Sequence, residues 1–508
     1  MSHKSRSTGI RVRSGRKATQ LRTTAKEPAE TRRTSPHEIS GFLNWLLPAE
    51  AYFSSIKRHG NTSWQPRVLA RLAMCWAWAE NRNLTDSFTH AARWLKLLMP
   101  KEALLSTYQG MMNALQRWTP ALLLILQRHF QKRMKEIGGQ YWTVGGWVPI
   151  AFDGSRDEAP RTKSNELAYC APNHGKGKAA RSKKNRNGSL KKRTRTQPAQ
   201  PPAPHLWITL LWHVGLQLPW TWRLGRSNAS ERAHVTEMLE TENFPKNTLF
   251  CGDAGFVGYE FWSSILRHNF HFLVRVGGNV KLLLEHGHVV LKDRMTVLNW
   301  PKTAVKAEHP PLRLRLVYVK VGKTKMWMLT SVTDESQLSL LQIRDLYEKR
   351  WGIEVEFRGL KQTLDKGKLR CRNSSRVAVE LNWSLIAMTA VELCAMKEQL
   401  PGQRHSPVPR EASNTLPPPV CRSLASSVRA IRSALASLNA PSFSSESLSD
   451  QLKHAVVSRT RVDPKRKQSR YRPPNTDHNK PLGSPQLRRL NAEERRTLKR
   501  LRPAGFTS

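Results

Sequence analysis

The chain has 508 residues, with 84 Lys and Arg against 38 Asp and Glu, giving a net charge of +46. That length is too great for one core and implies two or three domains, while a hydrophobic content of 39% fits a folded middle with unfolded ends. The charge makes a polyanion the expected partner, nucleic acid above all, and no basic amphipathic anchor speaks for a membrane surface.

Residues 1–35 hold ten Lys and Arg and read as a basic solvated arm. They lack the apolar stretch of a secretory signal. Residues 36–140 show helical patterning, punctuated by Pro48, Gly60, Pro66 and Pro100, and are expected to form a small helical domain that binds DNA. The pattern changes near Tyr141. The run Trp147–Phe152 reads as a strand that Asp153 closes, with Asp157 and Glu158 beyond it in a turn. Residues 167–205 are expected to form a flexible basic loop, because they contain no acid and cannot form a core.

Strands are then predicted at Leu206–Val214, Leu218–Leu224, Thr248–Cys251 and His271–Val276. Helices are predicted from Glu231 to Glu240 and from Tyr259 to His268. Residues 277–332 are strand-like and rich in turns, with segments at Val289–Leu291, Leu312–Val321 and Met326–Ser331; Trp300 in this stretch is expected to pack. A long apolar helix, Val377–Leu400, is expected to cover the core. Residues 401–420 read as a Pro/Ser linker, Arg422–Leu438 as a short helix, and the tail from Lys465 as disordered and basic. Six scattered cysteines (Cys75, Cys170, Cys251, Cys371, Cys394, Cys421) include no C-x-x-C pair, so neither a zinc site nor a disulfide framework is indicated. Apolar runs such as Ala121–Leu126 fall far short of a membrane span.

The chemistry concentrates in Leu346–Lys361. On one helix, Tyr347, Arg350, Glu354 and Lys361 fall within a stripe of roughly 60°, beside an apolar seam of Leu346, Ile353, Phe357 and Leu360. Glu356 points away from the stripe. A carboxylate between an Arg and a Lys is either a salt-bridge cluster or a metal ligand with phosphate-binding neighbours. Asp153 and Asp253 each end a predicted strand before a glycine-containing turn, and ligands gather at strand ends in open sheets. Three carboxylates on one spot call for a hard divalent cation.

With FDGSRDEAPRT from Phe152 and GDAGFVGYEFW from Gly252, the spacing Tyr347-x2-Arg350-x3-Glu354-x6-Lys361 resembles the DDE insertion-sequence transposases that carry a Y-R-E-K signature. The resemblance spans residues 141–400. It implies an α/β, RNase H-like mixed sheet with flanking helices and a β-rich insertion at 277–332; the region 401–508, read from its composition as linker and basic tail, departs from the family's pattern. It further implies that Asp153, Asp253 and Glu354 hold Mg²⁺ or Mn²⁺, and that Tyr347, Arg350 and Lys361 contact DNA. The partners implied are double-stranded DNA, as transposon ends and as target, and a second copy of the chain when bound to DNA. The setting implied is a bacterial cytoplasm, at the nucleoid. An inactive transposase-derived DNA-binding protein and a metal-dependent nuclease of the same fold are the alternatives.

Overall fold

The computed structural model describes residues 36–57, 64–81, 83–102, 107–170, 203–284, 294–322, 324–400, 422–438, 446–457 and 482–501. The arm 1–35, most of the 167–205 loop, the strand expected at 289–291, the linker 401–420 and residues 458–481 of the tail lie outside them.

Four helices come first: α1 (Pro36–Leu46), α2 (Pro66–Trp78), α3 (Leu84–Leu98) and α4 (Tyr108–Gly138). Proline opens α2, where its missing N–H is no loss, and the Thr107 hydroxyl caps α4 by accepting from Gly110 N–H. The central unit follows as β1 (Val148–Glu158), α5 (Lys163–Tyr169), β2 (His205–His213), β3 (Leu218–Gly225), α6 (Glu231–Thr241), β4 (Thr248–Gly252), α7 (Tyr259–Arg267) and β5 (His271–Val276). Next come β6 (Lys281–Leu284), β7 (Arg294–Asn299), α8 (Lys302–Lys306), β8 (Leu312–Val321) and β9 (Thr324–Thr330). The chain continues through α9 (Leu340–Arg350), α10 (Gly352–Gln362), α11 (Ser374–Gln399), α12 (Leu424–Ser437), α13 (Leu448–Lys453), β10 (Gln486–Arg489) and α14 (Ala492–Leu501).

The ten strands among the described residues join one sheet in the order β10-β6-β7-β8-β9-β5-β4-β1-β2-β3. Strand β2 runs antiparallel to both β1 and β3, while β4 and β5 add in parallel beyond β1. This 3-2-1-4-5 core is the RNase H-like mixed sheet that the sequence leads one to expect. The β-rich insertion extends the same sheet through β9, which pairs antiparallel with β5. Trp300 is buried in it and donates its indole N–H to the His309 carbonyl, so it packs.

Helix α11 is long and apolar enough to span a membrane, yet nearly all of it is buried. Trp78 of α2 donates to its Ala387 carbonyl, and its own Trp383 donates to Thr119 of α4. The amino-terminal helices thus share one core with α11, and an apolar helix sheathed by other helices needs no lipid.

Three expectations are corrected. Asp153 does not close β1: antiparallel pairing with β2 carries the strand on to Glu158, so Asp157 and Glu158 are strand residues rather than turn residues. The helix expected across 346–361 is two helices, broken at Trp351. A Cβ on Gly352 would lie 2.1 Å from the buried Trp212 ring, so the chain restarts its helix where only glycine lets it approach β2 so closely. Finally, part of the tail is ordered: β10 pairs in parallel with β6, and α14 follows it.

Candidate active site

Strand register brings the first two acids together. Between β1 and β4 each residue pairs with the one 100 positions later, from Val148↔Thr248 to Ala151↔Cys251. Two residues further on, that register sets Asp153 beside Asp253, where β4 has ended and β1 runs on. One oxygen of each acid is held by backbone: Asp153 Oδ1 accepts from Gly154 N–H at 2.8 Å and Asp253 Oδ1 from Gly255 N–H at 2.8 Å.

The broken helix supplies the rest. Arg350 is the last residue of α9 and is 5% exposed. Its guanidinium stacks on the Tyr347 ring at 5.2 Å. It stands 4.0 Å from Asp153 Oδ2 and 3.6 Å from Glu354 Oε1, at the start of α10. Those separations are ionic contacts, too long for hydrogen bonds, so Asp153 Oδ2 and Glu354 Oε1 keep acceptor capacity. Asp253, Tyr347, Arg350 and Glu354 line a cleft of about 770 Å³, together with Arg275 and the exposed Trp351.

The carboxylates sense one another. Burial raises the Asp153 carboxyl, opposed by the Gly154 N–H and Arg350, with Asp253 adding to the rise. Burial raises Glu354 as well, Arg350 opposing and the two aspartates reinforcing. Such mutual repulsion is what a bound cation relieves.

Lys361 lies elsewhere than the helical stripe suggests. Its ammonium donates to Ser155 Oγ at 2.7 Å and stands 3.6 Å from Asp157 Oδ1, further along β1. Asp157 is wholly buried, and among the described residues no donor comes within bonding distance of either of its oxygens; burial pushes it up to about 6 against the pull of Lys361. The break at Trp351 changes the turn between Arg350 and Lys361, which a continuous wheel cannot register.

Sequence reasoning passes over Glu231. This first residue of α6 is half-buried, and burial, then Asp153 and Asp253, push it up to about 7. Its one signal in the sequence is position: it is the first acid after Glu166.

Among the described residues, no three His, Cys, Asp or Glu side chains are close enough together to enclose a metal ion. The donor set nevertheless suits a hard cation, being carboxylate oxygens with open lone pairs, and magnesium usually takes only one or two carboxylates, completing its shell with water and substrate phosphate.

Residues 218–390 match the family model described as the transposase DDE domain. The match contains Asp253 and Glu354 and begins after Asp153. No curated protein matches the chain. Among solved structures, the chain is similar to a cryo-EM structure of the piggyBac transposase synaptic complex with hairpin DNA, at 11% identity over 86% of this chain and 88% of that one, with a TM-score of 0.33.

Proposed function

We propose, from the transposase DDE domain match and the geometry around Asp153, that this chain is a DNA transposase that cleaves the ends of an insertion sequence and joins them to a target. The observation that carries the reading is the β1–β4 register, which sets Asp153 beside Asp253, with Arg350 between Asp153 and Glu354.

Asp153, Asp253 and Glu354 would hold Mg²⁺ or Mn²⁺. When bound, such ions activate a water or a 3′-hydroxyl and stabilise the leaving oxygen of an in-line phosphoryl displacement. Arg350, stacked on Tyr347 and buried, orients Glu354 and Asp153 while no substrate is present; a phosphate of the scissile strand would then share its guanidinium. Trp351 and Arg275 give the cleft an exposed ring and a cation along the path of a DNA strand. Lys361 would reach phosphate only by leaving Ser155 and Asp157. The net charge of +46 supplies sequence-independent affinity. Pairing of two element ends implies two copies of the chain on DNA.

The test is to incubate the protein with Mg²⁺ and DNA carrying the sequences that flank its own gene. End cleavage followed by joining to a second duplex is expected. Cleavage without joining would make it a nuclease, and binding without cleavage would make it a DNA-binding derivative.

A further inference from the structure

The neighbourhood of Gly154 identifies a fourth acid. Gly154 lies in regular β1, paired with Thr209, so its backbone does not call for glycine. Its space does. A Cβ at position 154 would lie 2.1 Å from Glu231 Oε1 and 2.6 Å from Glu231 Cδ. The missing side chain is a seat, and the Glu231 carboxylate occupies it, next to the residue that carries the Asp153 carboxylate.

Nothing on the protein explains why that carboxylate should be there. Glu231 makes no hydrogen bond and no ion pair with any described residue, although its neighbour Arg232 is close and donates instead to the Val257 carbonyl. The helix start does not need it, because Ser230 caps α6 by accepting from Ala233 N–H. In a chain with 84 cations, an acid held half-buried near two other acids, with only the charge of Arg232 opposing them and no ion pair to it, is badly placed for stability. It is well placed for an ion brought in from outside.

We infer that Glu231 is a fourth acidic residue of the site, contributing a carboxylate oxygen to the divalent cation that Asp153 holds or to that cation's water. The inference rests on the proposed reading of Asp153, Asp253 and Glu354 as the metal-binding acids. It gives Gly154 a role too: glycine is required there so that Glu231 can lie against β1.

The test uses the full chain and Mn²⁺ as probe, with Glu231→Gln, Glu231→Ala, Gly154→Ala and the double variant Gly154→Ala/Glu231→Ala. Mn²⁺ binding is followed by calorimetry without DNA, melting without metal, and end cleavage with DNA. Glu231→Gln and Glu231→Ala should melt at or above wild type without metal, bind Mn²⁺ roughly 10- to 100-fold more weakly, and lose cleavage in proportion. Gly154→Ala should do the same by displacing the flexible glutamate, and in the double variant it should add little to Glu231→Ala. An unchanged Mn²⁺ affinity in Glu231→Gln overturns the inference, as does a metal-free melting point well below wild type with unchanged affinity, which would mark a structural role. Asp153→Asn is the control for the underlying reading. If it too keeps cleavage and Mn²⁺ binding, the whole site is misassigned; if it loses both while Glu231→Gln keeps both, the fourth acid alone is wrong.

Discussion

Two glutamates sit two residues apart on α10 and face opposite surroundings. Glu354 opens onto the cleft, with its cation, Arg350, standing off at 3.6 Å. Glu356 is 5% exposed and turned toward Glu392 of α11. Burial, and then the Glu392 charge, push Glu356 well above the usual carboxylate range. Arg422 then closes the arrangement, reaching Glu392 Oε1 at 3.1 and 2.8 Å and the carbonyls of Leu216 and Gln217 as well. Both regions gather acids around one arginine. In the second the arginine bonds a carboxylate directly and the acids are shut away from solvent; in the first the arginine stands off and the acids face a cleft. That difference is what the proposed reading requires, an exchangeable cation in the first and a structural brace in the second.

The largest effect should come from neutralising the open cluster. Asp153→Asn, Asp253→Asn and Glu354→Gln should each take end cleavage below detection while DNA binding and melting stay close to wild type, since affinity comes from the basic surface. Cleavage and filter binding on the same preparations check this, and a variant that still cuts leaves the cluster.

Arg422→Met makes the converse cut, in the closed cluster. It leaves Glu392 charged, buried and without its cation, at an expected cost of about 3–5 kcal/mol in urea unfolding. If it unfolds like wild type but fails to cleave, the roles of the two clusters are reversed. Gly352→Ala should cost less, about 1–3 kcal/mol, because the new methyl meets the Trp212 ring, which is locked in the core. Some cleavage should go with it, because Gly352 begins the helix that carries Glu354.

Which parts of this were legible in the sequence follows from where the information resides. Strand β5 and strand β8 lie at the expected residues because apolar runs bounded by turns are local signals. That Asp153, Asp253 and Glu354 stand near one another was legible from their spacing and neighbours. Asp153 was placed at a strand end because Asp-Gly reads as a turn; the pairing of Asp153 with Leu210 that keeps the strand going is tertiary. The break at Trp351 depends on Trp212, over a hundred residues away, and a helical wheel contains no such term. The same wheel dismissed Glu356, whose partners come from α11 and from Arg422. Glu231 was invisible because its meaning comes from the empty seat at Gly154. Strand β10 needed β6 as a template.

The smallest effect is a titration, and it asks whether Asp157 belongs with the braces. Burial pushes its carboxyl up to about 6 in the folded chain against 3.8 for a free aspartate, with Lys361 opposing. A raised folded value means that the contribution to stability is full below pH about 4 and is lost as pH rises through about 6. Asp157→Asn keeps the shape and removes the titration. Variant and wild type should therefore melt alike near pH 4, and the variant should gain between pH 4 and 6, levelling off above at an advantage of about 1–3 kcal/mol. Lys361, a third exposed, can turn to water when its partner is neutral, which keeps the cost of losing the ion contact small. A melting series over that range decides the point. Should the variant fall behind wild type above pH 6, the contact with Lys361 outweighs the burial, and Asp157 with Lys361 is a brace of the same kind as Glu392 with Arg422.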